Sequence, residues 1–410
     1  MNHHARAIAV LAIATLAAAC SEPNTEPTEL DPAGADIAAS SGRHADARAT
    51  ATWNELATSL ADRVAIDQGR LYAYLGMAQF RAAEAADDND GHGRGHGGHR
   101  HGHHGRSEHL PVSAAIGGAS AAVLSAFFPN NTGEIEAAMD AQEAAAAAAG
   151  GDTEDFSEAE ATGREVGAEV MAYAASDRIG LADPGTPPIG DGYWKWSGGP
   201  IIRGGYRARP FYRESDSQFR PAPPPAFGSP AYLTALGEVR QISDTRTAEQ
   251  LAIATYWNLN QSGRRNATFN NKAVELIRKY HVSDARAARI MFLAGTAVFD
   301  ASIACFDAKY AYWFIRPPQA DPAITLPIGL PPHPSYPSAH SCVSGSMSGV
   351  LMAFFPRDAA SLDAMSQEAS LSRLYGGIHY RFDMDAGIAL GRKVARKALR
   401  ADLDEVAVLP

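Results

Sequence analysis

Apolar residues recur at helical spacing through most of this chain. Trp53, Leu56, Leu60 and Val64, then Leu71, Tyr74, Leu75, Met77 and Phe80, predict helical structure from Ala49 to about Ala86. The pattern resumes over residues 112–128, 134–149 (almost all alanine) and 157–175. After Ser229 it returns over 230–239, 247–258, 271–280, 283–315, 338–355, 358–375 and 379 to about 403. Ser283 and Asp284 have the character of an N-cap and a first-turn residue. Residues 180–228 break the pattern with Gly192-Tyr193-Trp194-Lys195-Trp196 and Pro221-Ala222-Pro223-Pro224-Pro225. They predict a long ordered loop packed over helices, since loops of this length usually cover or serve a site. No alternating strand pattern persists and no repeat of 20–50 residues is visible. The expected architecture is all-α: one helical-bundle domain over residues 49–403.

Composition agrees. Of 410 residues, 46% are hydrophobic and 20% charged, which marks a globular chain. The net charge of −10, without a long basic run, argues against a nucleic-acid partner. The N-terminus reads as a targeting segment. Arg6 precedes an apolar run from Ala7 to Ala19, interrupted only by Thr15, which fits a signal peptide over residues 1–20. The run ends Leu16-Ala17-Ala18-Ala19-Cys20 and resembles a bacterial lipobox, which implies lipidation of Cys20. Ala17 stands where leucine is more usual, which leaves ordinary cleavage open. Either route exports the chain across the inner membrane, to the periplasm or to a lipid anchor on the outer membrane. Residues 21–48 read as a disordered linker. Residues 87–109 are Gly/His-rich, with His92, His96, His99, His101, His103, His104 and His109. They read as a surface loop that binds metal adventitiously, since glycines hold no ligand geometry. Cys305 and Cys342 could pair in an oxidising compartment. They could equally be two small buried hydrophobes.

Three segments in residues 284–403 carry the candidate chemistry. The first runs from Lys309 to Arg316 and Pro317. On one helix, seven residues return to within ~20° of the start, so both cations would face one way about 10.5 Å apart. The second is His333-Pro334-Ser335-Tyr336-Pro337-Ser338-Ala339-His340. Proline and small polar residues before an apolar run mark a helix N-terminus, whose free N–H groups favour an anion. Ser338 adds a hydroxyl, and His340 an imidazole suited to acid–base work. In the third, Gly376-Gly377 separates Arg373 from His379, and Asp383 follows four residues later. On a helix face that spacing lets Asp383 hold Nδ1–H of His379 and leave Nε2 open. Each segment alone has a plain reading: snorkelling cations, a capping sequence, a surface His/Asp pair. Together they describe a site for a tetrahedral oxyanion, phosphate or vanadate.

The motifs K-x6-R-P, P-S-A-H and S-R-x5-H-x3-D resemble the signature of the vanadium-dependent haloperoxidases and type 2 phosphatidic acid phosphatases. Tyr193-Trp194, Pro210-Phe211, Gln218-Phe219-Arg220-Pro221 and Arg246-Thr247-Ala248-Glu249-Gln250 extend the likeness to bacterial secreted members over about residues 50–400. The resemblance implies an all-α bundle with vanadate as cofactor. It implies that His379 binds vanadium while Lys309, Arg316, Ser338, Arg373 and the Ala339 N–H hold the oxygens. It gives His340 the acid–base role when hydrogen peroxide adds, and Lys309 the polarising of peroxide, so that halide yields hypohalous acid for a small organic acceptor. Ala339 departs from the usual glycine and narrows the pocket. His333 matches a histidine of the bromoperoxidase branch and leans the reading toward bromide or iodide. The rival enzyme is a secreted acid phosphatase acting on a phosphate ester. There His379 attacks phosphorus to form a phosphohistidine, and His340 protonates the leaving alkoxide. A non-catalytic oxyanion-binding lipoprotein is the third reading. The helical N-terminal half, the Lys309-Tyr-x-Tyr context and His333 favour the peroxidase. Integral lipid phosphatases carry several membrane spans, and no run here is expected to be long enough.

Overall fold

A computed structural model describes residues 48–88, 110–212, 214–215, 217–258 and 264–403. The expected signal peptide with Cys20, the linker up to residue 47 and the Gly/His-rich run over 89–109 lie outside the described residues. The elements are α1 (Arg48–Ala61), α2 (Gln68–Asp88), α3 (Val112–Phe127), α4 (Thr132–Ala148), α5 (Thr153–Ala174), α6 (Pro230–Thr245), α7 (Ala248–Asn258) and α8 (Arg264–Lys279). They continue with α9 (Asp284–Tyr312), the short α10 (Pro317–Ala320), α11 (Ala339–Phe354), α12 (Ala359–Tyr375) and α13 (Arg381–Leu403). Among the described residues the only β pairing is an isolated antiparallel bridge between Tyr193 and Phe314. The all-α expectation therefore matches the fold.

The first predicted helical run is in fact two helices. Asp67 starts α2 by accepting from the Arg70 N–H at 3.0 Å, and Val64 is exposed in the connection. A cap of this kind resets the helix axis, so the apolar spacing of α1 does not continue into α2.

The core is built around α9, whose residues Ile290, Leu293, Ala297, Phe299, Ile303 and Ala304 are each exposed by 1% or less. It packs against α2, α11 and α13. Contrary to the expectation of no membrane-length run, α9 is long and apolar enough to cross a bilayer, with a mean hydropathy of 1.6 over its best window. That window is 94% buried inside the protein, so its apolar face serves the core. Removing a large side chain here costs about 2–5 kcal/mol.

The long loop follows its predicted course. Asp300 of α9 accepts from the N–H groups of Phe211 and Tyr212, each at 2.8 Å, and Asp307 takes a two-pronged hydrogen bond from Arg220 at 2.8 and 2.9 Å. The loop also meets the segment after α9: Trp194 N–H donates to Trp313 O, and Ile202 N–H to Pro332 O. Tyr312 and Tyr336 donate their hydroxyls to Pro221 O and Ala222 O, each at 2.6 Å. Helix α13 lies against α11 because glycine permits it. A Cβ at Gly391 would sit 2.2 Å from Cys342 O. Cys305 and Cys342 are both buried and form no disulfide, which matches the second of their two readings.

Candidate active site

The first segment does not stay on one helix. Helix α9 ends at Tyr312, and Trp313 takes the left-handed conformation (φ 49°, ψ 34°) while its N–H closes onto Lys309 O. Arg316 sits in extended backbone (φ −82°, ψ 148°), as a residue before proline must. The expected seven-residue stacking of Lys309 and Arg316 is therefore wrong. The two cations instead meet through the 333–338 segment, which both of them bind.

Lys309 is fully buried. Its ammonium donates to three carbonyls, Pro334 at 2.9 Å, Ser335 at 2.8 Å and Pro337 at 2.5 Å. An ammonium has three donors, so all are spent on the loop that leads into α11. Burial lowers its pKa to about 8. Arg316 is equally buried, and burial lowers its pKa to about 10. Its Nε donates to His333 O at 3.1 Å. One terminal nitrogen reaches Ile378 O at 2.7 Å and His379 Nε2 at 3.0 Å, and the other reaches His333 Nδ1 at 3.0 Å.

These contacts assign the His379 tautomer, because a guanidinium only donates and a carboxylate accepts. His379 presents a lone pair at Nε2 to Arg316 and donates Nδ1–H to Asp383 Oδ2 at 2.7 Å. Burial, then the nearby Arg316 and Lys309 charges, hold it well below the usual imidazole range, in keeping with a neutral ring. His333 Nδ1 faces a donor, Arg316, at 3.0 Å and an acceptor, Pro334 O, at 3.1 Å, so these contacts favour opposite tautomers. His333 is 7% exposed and packs edge-on to Phe306, which makes it a wall residue rather than a rim one. His340, half-buried in the first turn of α11, donates Nε2–H to Trp257 O at 3.2 Å.

Asp383 also departs from expectation in detail. His379 lies in the turn before α13 and Asp383 in its first turn, so they are not an i,i+4 pair on one helix face. Gly377, with φ +75°, supplies the backbone reversal that frees His379 from α12. Burial pushes the Asp383 carboxyl up to about 6, opposed first by the Ser335 hydroxyl.

Ser338 caps α11, its hydroxyl accepting from the Ser341 N–H at 3.4 Å, and Ala339 opens the helix as predicted. The first N–H groups of a helix have no intrahelical partner, so this end suits an anion. Arg373, 1% exposed, donates to Ser372 Oγ at 2.9 Å and Ala254 O at 3.1 Å.

Two contributors escape sequence reasoning. Ser335 lies inside the second motif, and its hydroxyl donates to Asp383 Oδ2 at 2.5 Å. Backbone carbonyls of α7, from Ala254 and Trp257, hold Arg373 and His340. Main-chain acceptors leave no mark in sequence.

The arrangement buries Lys309 and Arg316 within reach of one carboxylate, Asp383, and Arg373 is buried as well, on the last turn of α12. Buried like charge at this density needs a counter-charge. The donor set of cations, a hydroxyl, a helix N-terminus and an imidazole lone pair fits a tetrahedral oxyanion such as vanadate. Lys309 would reach it by releasing a carbonyl.

No curated protein matches the chain in sequence. Residues 359–405 match the family model of the VCPO second helical-bundle domain. The structure is similar to that of the first bacterial vanadium-dependent iodoperoxidase. That match has a TM-score of 0.68 and 24% identity and covers 87% of this chain and 96% of the other. It is also similar to a holo-type bacterial vanadium-dependent chloroperoxidase, with a TM-score of 0.62 and 15% identity, over 82% of this chain and 92% of the other. The apo-type chloroperoxidase gives 0.60 and 14%, over 82% and 94%. The family-model match falls on α12 and α13, and the likeness to the solved structures is one of fold.

Proposed function

We propose that the chain is a vanadate-dependent haloperoxidase that oxidises halide with hydrogen peroxide to hypohalous acid. The observation that carries this reading is the neutral His379, whose Nε2 lone pair faces buried Arg316 with Asp383 fixed behind it. Vanadate bound there would supply an electrophilic centre that activates hydrogen peroxide toward halide. His379 Nε2 would hold the metal, and Lys309, Arg316, Arg373, Ser338 Oγ and the Ala339 N–H would hold its oxygens. His340 would take and return the peroxide proton from the first turn of α11. His333, buried against Arg316 and Phe306, matches a histidine of the bromoperoxidase branch, and that resemblance favours bromide or iodide as the halide. Export and lipidation at Cys20 belong to the same proposal, and labelled palmitate failing to enter the protein in a bacterial host would remove the anchor.

The test is direct. Protein reconstituted with orthovanadate receives hydrogen peroxide and bromide or iodide with a halogenation-sensitive dye. A parallel vanadate-free sample receives p-nitrophenyl phosphate. Vanadate-dependent halogenation is expected. Phosphate release that vanadate inhibits would assign the phosphohistidine chemistry instead, and inactivity in both assays would leave an oxyanion-binding protein.

A further inference from the structure

Ser335 makes three contacts that meet nowhere else in the site. Its N–H donates to Phe314 O at 2.9 Å, in the segment that delivers Arg316. Its carbonyl accepts from Lys309 Nζ at 2.8 Å. Its hydroxyl, fully buried, donates to Asp383 Oδ2 at 2.5 Å and lies 3.5 Å from His379 Nδ1. Asp383 is loaded on one side. Oδ2 receives Ser335 Oγ, His379 Nδ1–H and the Tyr380 N–H at 3.2 Å, while Oδ1 is buried with no hydrogen-bond partner among the described residues.

That asymmetry is costly, because an unsatisfied buried oxygen favours any rotation that brings it to a donor. Rotation of the carboxylate would take its lone pair off His379 Nδ1. The imidazole would then have no acceptor to keep its proton on Nδ1. With the proton on Nε2, it would face the Arg316 guanidinium donor to donor. The short Ser335 hydroxyl bond opposes the rotation.

We propose that Ser335 is a positioning residue that fixes the His379 tautomer through Asp383 and ties that setting to Lys309 through its own carbonyl. This rests on the reading of the site as a vanadate centre with His379 Nε2 as ligand. Partners that orient a ligating histidine typically change metal affinity by about 10- to 100-fold when lost.

The experiment compares wild type, Ser335→Ala, Asp383→Asn and the double variant. Nitrogen-15 spectra of histidine-labelled, vanadate-free protein report the tautomer, and calorimetry with orthovanadate reports affinity. Wild type is expected to show one His379 form, protonated at Nδ1. Ser335→Ala is expected to show mixed forms and an affinity about 10- to 100-fold weaker. In the Asp383→Asn background Ser335→Ala should change little further, since it acts through the carboxylate. Ser335→Cys, close in volume and a weaker donor, should fall between if Ser335→Ala fails to fold. Wild-type His379 shifts in Ser335→Ala, or full additivity with Asp383→Asn, would overturn the proposal. If wild type binds no vanadate while Ser335→Ala still alters the His379 spectrum, the cofactor reading fails and the positioning role stands.

Discussion

Nδ1 of His379 lies 2.7 Å from Oδ2 of Asp383, and the bond crosses a turn rather than following a helix face. The turn matters because it lets the other ring nitrogen meet Arg316, which approaches in extended backbone. His379→Ala is expected to abolish orthovanadate binding. Asp383→Asn, which keeps the ring but loosens its tautomer, should weaken binding by about 10- to 100-fold. Calorimetry separates the two, and wild-type affinity in His379→Ala would remove that residue from its assigned role.

The long loop depends on α9 carboxylates. Asp300→Asn replaces one acceptor by an amide that faces a backbone N–H, donor against donor. A cost of about 1–3 kcal/mol is expected. The loss should be felt in the loop, because Phe211 and Tyr212 N–H both rely on this carboxylate. Hydrogen exchange should quicken at those two amides and leave α12 and α13 unchanged. Exchange that rises evenly across the chain would show that Asp300 supports the whole fold instead.

Much of this was legible in the residues. Apolar spacing located the helices because each buries a stripe against its neighbours, and the motifs named Lys309, Arg316, His379 and Asp383, which are linked by buried hydrogen bonds. What failed was geometry set by single backbone torsions. Trp313 in the left-handed region and the Pro317-Pro318 pair stop α9 short of Arg316, and no periodicity in Lys309–Arg316 reports it. The Asp67 cap splits the first helix in the same way. Ser335 was in view but had no distinguishing spacing, and its importance depends on a carboxylate 48 residues away. The α7 carbonyls could not be read, since every residue carries one.

Asp284 links stability to pH. Its side chain accepts from the Thr50 N–H at 2.9 Å and docks α1 on the start of α9, and burial raises its pKa. A carboxyl whose folded pKa is raised contributes stability that is fully present below the unfolded value. That contribution is lost as pH rises through the folded value. Asp284→Asn keeps the acceptor and cannot titrate. Measured by urea unfolding between about pH 3.5 and 7, wild type should lose stability relative to Asp284→Asn as pH rises through that window. Parallel curves would mean the carboxyl ionises alike in both states.

Helix contact at Gly391 predicts a paired result. Alanine ordinarily favours a helix interior over glycine by about 1 kcal/mol. At Gly237 of α6 nothing lies within 4 Å of an added Cβ, so Gly237→Ala should be stabilising by up to that amount. At Gly391 the same methyl would meet Cys342 O at 2.2 Å and Ser346 N at 2.6 Å, backbone atoms of α11 that cannot rotate aside. Gly391→Ala must push α13 from α11, and overpacking of this kind costs about 1–3 kcal/mol. Because α13 carries Asp383 while Ser338 caps α11 and His340 lies in its first turn, the displacement should weaken orthovanadate binding as well. Urea unfolding and calorimetry on both variants check the pair. A stabilised Gly391→Ala with unchanged affinity would show that the α11–α13 contact is looser than 2.2 Å implies.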